Sequence, residues 1–158
     1  MTITSSRLQL FTDEFVEGAG AIVFNPQKTQ ICILYNSRKN RYILPKGKRN
    51  VTESREITAV REVEEETGYK CQLLPLAMIT RAPAADEKEA SSDVPMKREE
   101  STDPFALTIR DEGRRKRKLI WWFIAQIDSS SATGSQSPFD GHFKSRWVPI
   151  EEIGRAHV

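Results

Sequence analysis

GKRNVTESREITAVREVEEETGY, residues 47–69, carries a helix with both of its ends marked. Ser54 offers the side-chain oxygen that an N-cap needs, and Gly68 stands where a left-handed residue closes a helix. The reading predicts a helix from Ser54 to Thr67. At about 100° per residue, Ile57, Val60, Val63 and Thr67 fall on one arc, and Glu62, Glu65 and Glu66 fall on the other side.

Those carboxylates pose the first chemical question. Glu65 and Glu66 follow Glu62 by three and four residues, so all three share a helix face. Like charges so placed repel by a few tenths of a kcal/mol per pair, roughly. Glu53, Glu56 and Glu64 add to the excess, and Arg55 and Arg61 are too few to balance it. A solvated acidic face is one reading. A hard divalent ion such as Mg²⁺, which takes oxygen ligands and bridges to phosphates, is the other.

Outward from the helix, residues 18–24 (GAGAIVF) and 30–35 (QICILY) read as strands around an Asn25-Pro26 turn. Tyr42-Ile43-Leu44 is a short extended piece that Pro45 stops. Residues 71–79 read as extended. Residues 82–104 turn abruptly polar, with Val94 and Met96 as the only larger apolar groups, and are expected to form a flexible insertion. Residues 105–109 resume a strand pattern. The basic run Arg114 to Lys118 (RRKRK) leads into LIWWFIAQI, residues 119–127, the most strand-like piece of the chain. Residues 129–141 are a second expected flexible loop, and residues 145–150 a last strand. The order, strands then one helix then strands, argues an α+β or mixed α/β sandwich. Neither a GxGxxG nor a Walker pattern is present.

The 158 residues make one domain's worth of chain, with 38% apolar and 29% charged residues. A formal net charge of +2 gives no reason to expect nucleic-acid binding. Cys32 and Cys71 sit in apolar stretches without a CxxC or Cys/His setting, and His142 and His157 are the only histidines, so a zinc site is not expected. The thiols are expected to be buried and reduced. No signal peptide is visible and the apolar run at 119–127 is too short to span a membrane. The expected location is cytoplasmic, with the nucleus also open.

The helix segment resembles the Nudix box: Gly47, Glu53, Arg61, Glu62, Val63, Glu65, Glu66 and Gly68 match its spacing. With residue usage near 7%, a chance match at a given start is on the order of one in 10⁸. One position departs: Tyr69 stands where the family has an aliphatic residue. The resemblance runs over residues 18–153 and is specific only at the box. It implies an α+β fold, the α/β/α sandwich of Nudix type, with a mixed sheet carrying the Nudix loop-helix. Residues 1–17 form an N-terminal segment outside it. The tail EIGRAHV is similar to translated sequencing-adapter sequence. Residues 154–158 are therefore expected to be non-native and the closing C-terminal helix to be missing.

The resemblance also implies roles. Glu62, Glu65 and Glu66 would bind Mg²⁺ (or Mn²⁺), with the Gly47 carbonyl as a further ligand. Arg61 would pair with Glu53 and hold loop and helix in register. The reaction would be hydrolysis of a diphosphate linkage in a nucleoside diphosphate derivative. The general base would be Glu65 or Glu66, or a loop glutamate among Glu99, Glu100 and Glu112.

For the substrate, Lys46 and Lys48 flank Gly47, and RRKRK adds five charges. Together they suggest several phosphates, although the run also reads as a solvated hairpin end, a localisation signal or an RNA contact. The Leu44-Pro45-Lys46-Gly47 lead-in and the KLIWWF strand look similar to diadenosine tetraphosphate hydrolases. Tyr42, Trp121, Trp122 and Phe143 are then candidates to stack on adenine, with at least one of the adjacent tryptophans facing inward. A dinucleoside polyphosphate ranks first. An inositol pyrophosphate and a non-catalytic ligand-binding role are the alternatives. The expected partner is a phosphorylated small molecule, not a membrane.

Overall fold

One run of small residues, Gly18 to Ala21, allows packing on both sides of a single strand. The computed structural model describes residues 5–86, 94–131 and 142–153. The strand β1 (Phe15–Phe24) puts Ala19, Ala21 and Val23, all fully buried, on one face, and Gly18 and Gly20 on the other. On the alanine face lies the helix α1 (Arg55–Thr67). Ser54 caps it by accepting from the Ile57 N–H, and Gly68, at φ 79°, closes it.

Among the described residues, eight strands form one mixed sheet and two form a separate ribbon. The strand β2 (Gln30–Asn36) pairs antiparallel with the end of β1. It also pairs with the short β3 (Arg41–Ile43). The three-residue β4 (Lys46–Lys48) pairs with Gly18–Gly20 of β1. After α1 come β5 (Cys71–Leu73), β6 (Leu76–Thr80), β7 (Met96–Ser101) and β8 (Ala106–Asp111). The strand β9 (Arg117–Ile127) runs parallel to β1 for ten residue pairs, Phe15↔Arg117 to Phe24↔Gln126. β5 and β8 both pair along the other edge of β9. The strand β10 (Phe143–Pro149) pairs with β2 and leads into a one-turn helix, α2 (Ile150–Ile153). The α+β architecture and the loop-helix placement agree with the sequence expectation. No helix among the described residues is long and apolar enough to cross a membrane.

The core lies between α1 and the sheet: Ala19, Ala21, Val23, Cys32, Ala59, Val63, Cys71, Phe123, Ala125 and Ile127. Three local expectations shift. Ile57 is 60% exposed, whereas Thr58 and Ala59 are buried with Val63 and Thr67. The small Ala59 lets the helix lie close against Ala19 and Ala21, which turns Ile57 outward. β7 lies within the stretch expected to be a flexible insertion and pairs with β6. Its order comes from backbone hydrogen bonds of a ribbon rather than from apolar burial. Ser129–Ser131 is one 3-10 turn. The expectations for 87–93, 132–141 and the tail 154–158 lie outside the described residues.

Tyr69 finds a reason for its departure from an aliphatic residue. Its hydroxyl accepts from the Trp147 indole N–H at 3.2 Å, and the rings meet edge to face at 5.4 Å. The end of α1 is thereby tied to β10. Cys32 and Cys71 are free and buried, and burial pushes each thiol up to about 12.

Candidate functional site

The outer edge of β4 is where α1 reaches the sheet. The bonds Ala21 N–Pro45 O and Arg49 N–Glu17 O frame the ladder to β1. By the alternation of an antiparallel ladder, Lys46 N–H and Lys48 C=O then point away from β1. Helix side chains take both groups. The Lys46 N–H donates to Glu66 Oε2 at 2.9 Å, and Arg61 Nη2 donates to the Lys48 carbonyl at 2.8 Å. An exposed strand edge is thus closed by α1 itself.

Between those contacts, the Gly47 Cα faces Glu62. A Cβ on Gly47 would lie 2.0 Å from the Glu62 carboxylate. The glycine is required here for close approach. The Glu62 side chain is largely buried, and burial raises its carboxyl above the ordinary value, against the lowering effect of Arg61. Arg61 is the hub. It grips Glu53 through Nε at 2.9 Å and Nη2 at 3.0 Å, and its Nη1 donates to Glu62 at 2.7 Å and Glu65 at 3.0 Å. This fork is the geometry for which guanidinium is suited. Arg61 and the Thr58 hydroxyl together hold Glu53 down to about 2. The expected Arg61–Glu53 pair is present, and Glu65 is far more exposed than Glu62 (56% against 12%).

Glu17 is a residue the sequence reading missed. Its carboxylate accepts from Arg49 Nε at 2.9 Å, from Arg55 Nε and Nη2 at 3.0 and 2.7 Å, and from the Trp121 indole at 3.0 Å. Burial raises the Glu17 carboxyl, but these bonds outweigh it and leave it lowered. Arg49 continues to the Glu53 carbonyl at 2.7 Å, so Glu17 anchors the loop before α1 to β1. Arg55 also lies over the Trp121 ring at 4.2 Å. A hollow of about 360 Å³ opens there, lined by Glu17, Arg49, Glu53, Ser54, Arg55 and Glu56. Nothing in the local sequence marks Glu17, because its partners lie 32 to 104 residues away.

The candidate substrate residues separate. Trp121 faces the core, as one of the adjacent pair was expected to, with its indole N–H on Glu17 and its ring under Arg55. Trp122 faces the opposite side, near Gly20, with its N–H on Thr108 Oγ1 at 2.9 Å. Tyr42 is 51% exposed, meets the Tyr35 ring in a tilted contact at 5.2 Å and takes a hydrogen bond from Arg146. Phe143 pairs with Asn36 at the start of β10. Lys46 and Lys48 line a cleft of about 70 Å³ with Val16, Glu17, Gly18, Gly47, Lys118 and Ile120. Of the loop glutamates, Glu99 and Glu100 lie on β7, and Glu99 pairs with Lys97 at 3.2 Å. Glu112 pairs at 3.0 Å with Lys118 of the cleft.

This loop-helix on a mixed sheet coincides with a family pattern: the NUDIX domain matches residues 14–157. The chain belongs to the NUDIX domain family. It acts as a hydrolase on a phosphoanhydride substrate, the general pyrophosphohydrolase activity of that family. Solved structures share the fold. A NUDIX-family hydrolase from Clostridium perfringens superposes with a TM-score of 0.61 at 16% identity, over 89% of this chain and 85% of that one. A NUDIX hydrolase from Nitrosomonas europaea gives 0.52 at 17% identity, over 89% and 76%. MutT protein from Methanosarcina mazei Go1 gives 0.53 at 20%, over 88% and 80%. At these identities the likeness is one of fold.

Mg²⁺ is the ion typical of NUDIX proteins. Among the described residues, no three His, Cys, Asp or Glu side chains are gathered to hold a metal ion. Arg61 Nη1 bonds both Glu62 and Glu65, and Glu66 is turned to β4. The donor chemistry nevertheless suits a hard cation. Three carboxylates and a carbonyl supply oxygen alone, and glycine at 47 leaves Glu62 the space that a methyl would fill.

Proposed function

We propose that this NUDIX hydrolase cleaves a dinucleoside polyphosphate such as diadenosine tetraphosphate, with Glu62, Glu65, Glu66 and the Gly47 carbonyl holding Mg²⁺ or Mn²⁺. The observation that carries the reading is the position of β4. Its outer edge meets the glutamates of α1, and its lysines line a cleft on the other face. The ion, when bound, would neutralise charge on the phosphate oxygens and lower the pKa of a water. Arg61 orders the carboxylates through Glu53, Glu62 and Glu65. Glu65 or Glu66 would accept the proton from water. Lys46 and Lys48 would draw the phosphates against β4, and Trp122 and Tyr42 would each offer a ring to an adenine.

The cations of the cleft and the covering of Trp121 by Arg55 favour a second reading, an inositol pyrophosphate, which needs no aromatic platform. A hydrolysis panel with Mg²⁺ tests the ranking: diadenosine polyphosphates, nucleotide sugars, oxidised nucleotides and inositol pyrophosphates. Diadenosine tetraphosphate is expected to have the highest kcat/KM. A preference for inositol pyrophosphates of about tenfold or more, worth about 1.4 kcal/mol, would overturn it. Tight ligand binding with no cleavage of any panel member would leave a binding module instead.

A further inference from the structure

The face of the sheet opposite α1 is basic, and its register tells which cations belong together. Paired residues of neighbouring strands share a face. Lys48 pairs with Gly18, and Lys46 with Gly20. Val16 pairs with Lys118, Gly18 with Ile120 and Gly20 with Trp122. Arg110 pairs with Lys118, and Thr108 with Ile120. One face therefore carries Lys46 and Lys48 on β4, bare glycine on β1, Lys118 and Trp122 on β9, and Arg110 on β8.

The glycines make the floor of a trough. A Cβ at Gly20 would stand 2.5 Å from the Lys46 Cβ and 2.9 Å from the Trp122 ring. A Cβ at Gly18 would meet the Gly47 carbonyl oxygen at 2.6 Å. Lys46 and Trp122 thus close over Gly20 from opposite walls. Lys46 is half-buried: burial lowers its pKa first, Glu66 opposes this, and Arg110, Lys118 and Arg41 add to the lowering. At the far wall Glu112 lies 3.0 Å from Lys118.

The RRKRK run divides accordingly. Arg114 and Arg115 occupy the tip of the β8–β9 hairpin, with φ 47° and 58°. Lys116 is the exposed last residue of that turn, its N–H on the Gly113 carbonyl at 3.0 Å. Arg117 is on the other face, paired with Asp111 at 3.2 Å. Lys118 alone enters the cleft.

We propose that Arg110 and Lys118, facing Lys46 and Lys48 across the Gly18–Gly20 floor, form a subsite for a linear chain of three or more phosphates. The inference rests on the hydrolase reading in one respect: the subsite would hold the phosphates beyond the bond that is cut. Phosphate oxygens would compete with Glu112 for Lys118 and bring the cations of both walls onto one chain. The strip then sets specificity by phosphate number, independent of any base.

Calorimetric titration of the full chain with inorganic tripolyphosphate and with orthophosphate, without divalent ions, tests this. Tripolyphosphate is expected to bind about 30-fold or more tighter than orthophosphate, since contacts to charged groups are the strong ones. Arg110→Gln with Lys118→Gln should weaken tripolyphosphate about 10-fold or more, and Lys118→Arg should retain binding. Arg114→Ser with Arg115→Ser removes the same number of charges from the hairpin tip and should leave binding unchanged. Thermal melting of each variant separates lost binding from lost folding. Equal binding of the two phosphates, or equal loss in the tip variant, would overturn the subsite. Tripolyphosphate binding as described in a protein that cleaves no phosphoanhydride with Mg²⁺ would sink the hydrolase reading and leave the subsite standing.

Discussion

The two faces of β1 differ by a single residue step and by nearly everything else. On one, Ala19, Ala21 and Val23 disappear under α1, and the charged groups around them are paired: Arg61 with Glu53, and Glu17 with Arg49 and Arg55. On the other, Gly18 and Gly20 floor a trough in which lysines outnumber acids. Period-two alternation lets one strand serve a packed core and a charged binding surface at once. β4 joins the two, giving its edge to the glutamates and its lysine side chains to the trough.

The comparison breaks first at Gly47, the point shared by both faces. Gly47→Ala puts a methyl 2.0 Å from the Glu62 carboxylate. It should lower kcat about 10²-fold, comparable to losing one fixed polar contact in a site. Near-normal kcat would show that β4 is not pinned to Glu62. Trp121 and Trp122 sharpen the contrast between faces. Trp121→Ala removes a ring packed on the core and leaves Glu17 and Arg55 without it, so urea denaturation should give a loss of about 2–4 kcal/mol. Trp122→Ala should cost less stability and instead raise KM for a dinucleoside substrate. Equal stability losses at the two positions would contradict the assigned faces.

The paired face also has a pH signature. Arg61 first, and the Thr58 hydroxyl after it, hold Glu53 at about 2 in the folded protein, against an ordinary carboxyl value of 4.5. A depressed folded pKa gives stability that is present above the unfolded value and lost as pH falls through the folded one. Wild type should therefore exceed Glu53→Gln by about 1–3 kcal/mol at neutral pH. That gap should shrink from about pH 5 to pH 2. A gap that stays constant would mean Glu53 acts by shape alone. The smallest effect lies at the hairpin tip, where Arg115 sits at φ 58°. Arg115→Gly should stabilise by about 0.5–1 kcal/mol, because only glycine adopts that region freely, and chemical denaturation would detect a change of the opposite sign.

What the sequence made legible is what lies within one turn or one loop of the helix. Ser54 and Gly68 are local, and capping chemistry alone reaches them, whereas the Glu53–Arg61 pair was reached through the resemblance to the Nudix box. Ile57 misled because apolar character outweighed size, whereas the sheet selects the small Ala59. Glu17 was invisible because its meaning depends on Arg49, Arg55 and Trp121 converging from a loop, a helix and a strand. β4 offered no alternation to read, being three residues with a glycine at the centre. The division of RRKRK needed strand register, which composition does not carry.

The most direct test of the central claim is Mg²⁺-dependent release of product from diadenosine tetraphosphate by wild type and by Glu65→Gln and Glu66→Gln. The account predicts cleavage by wild type and a loss of about 10²- to 10⁴-fold in each variant, the range for a positioned acid–base group, with folding retained. Wild-type rates in both variants would contradict it.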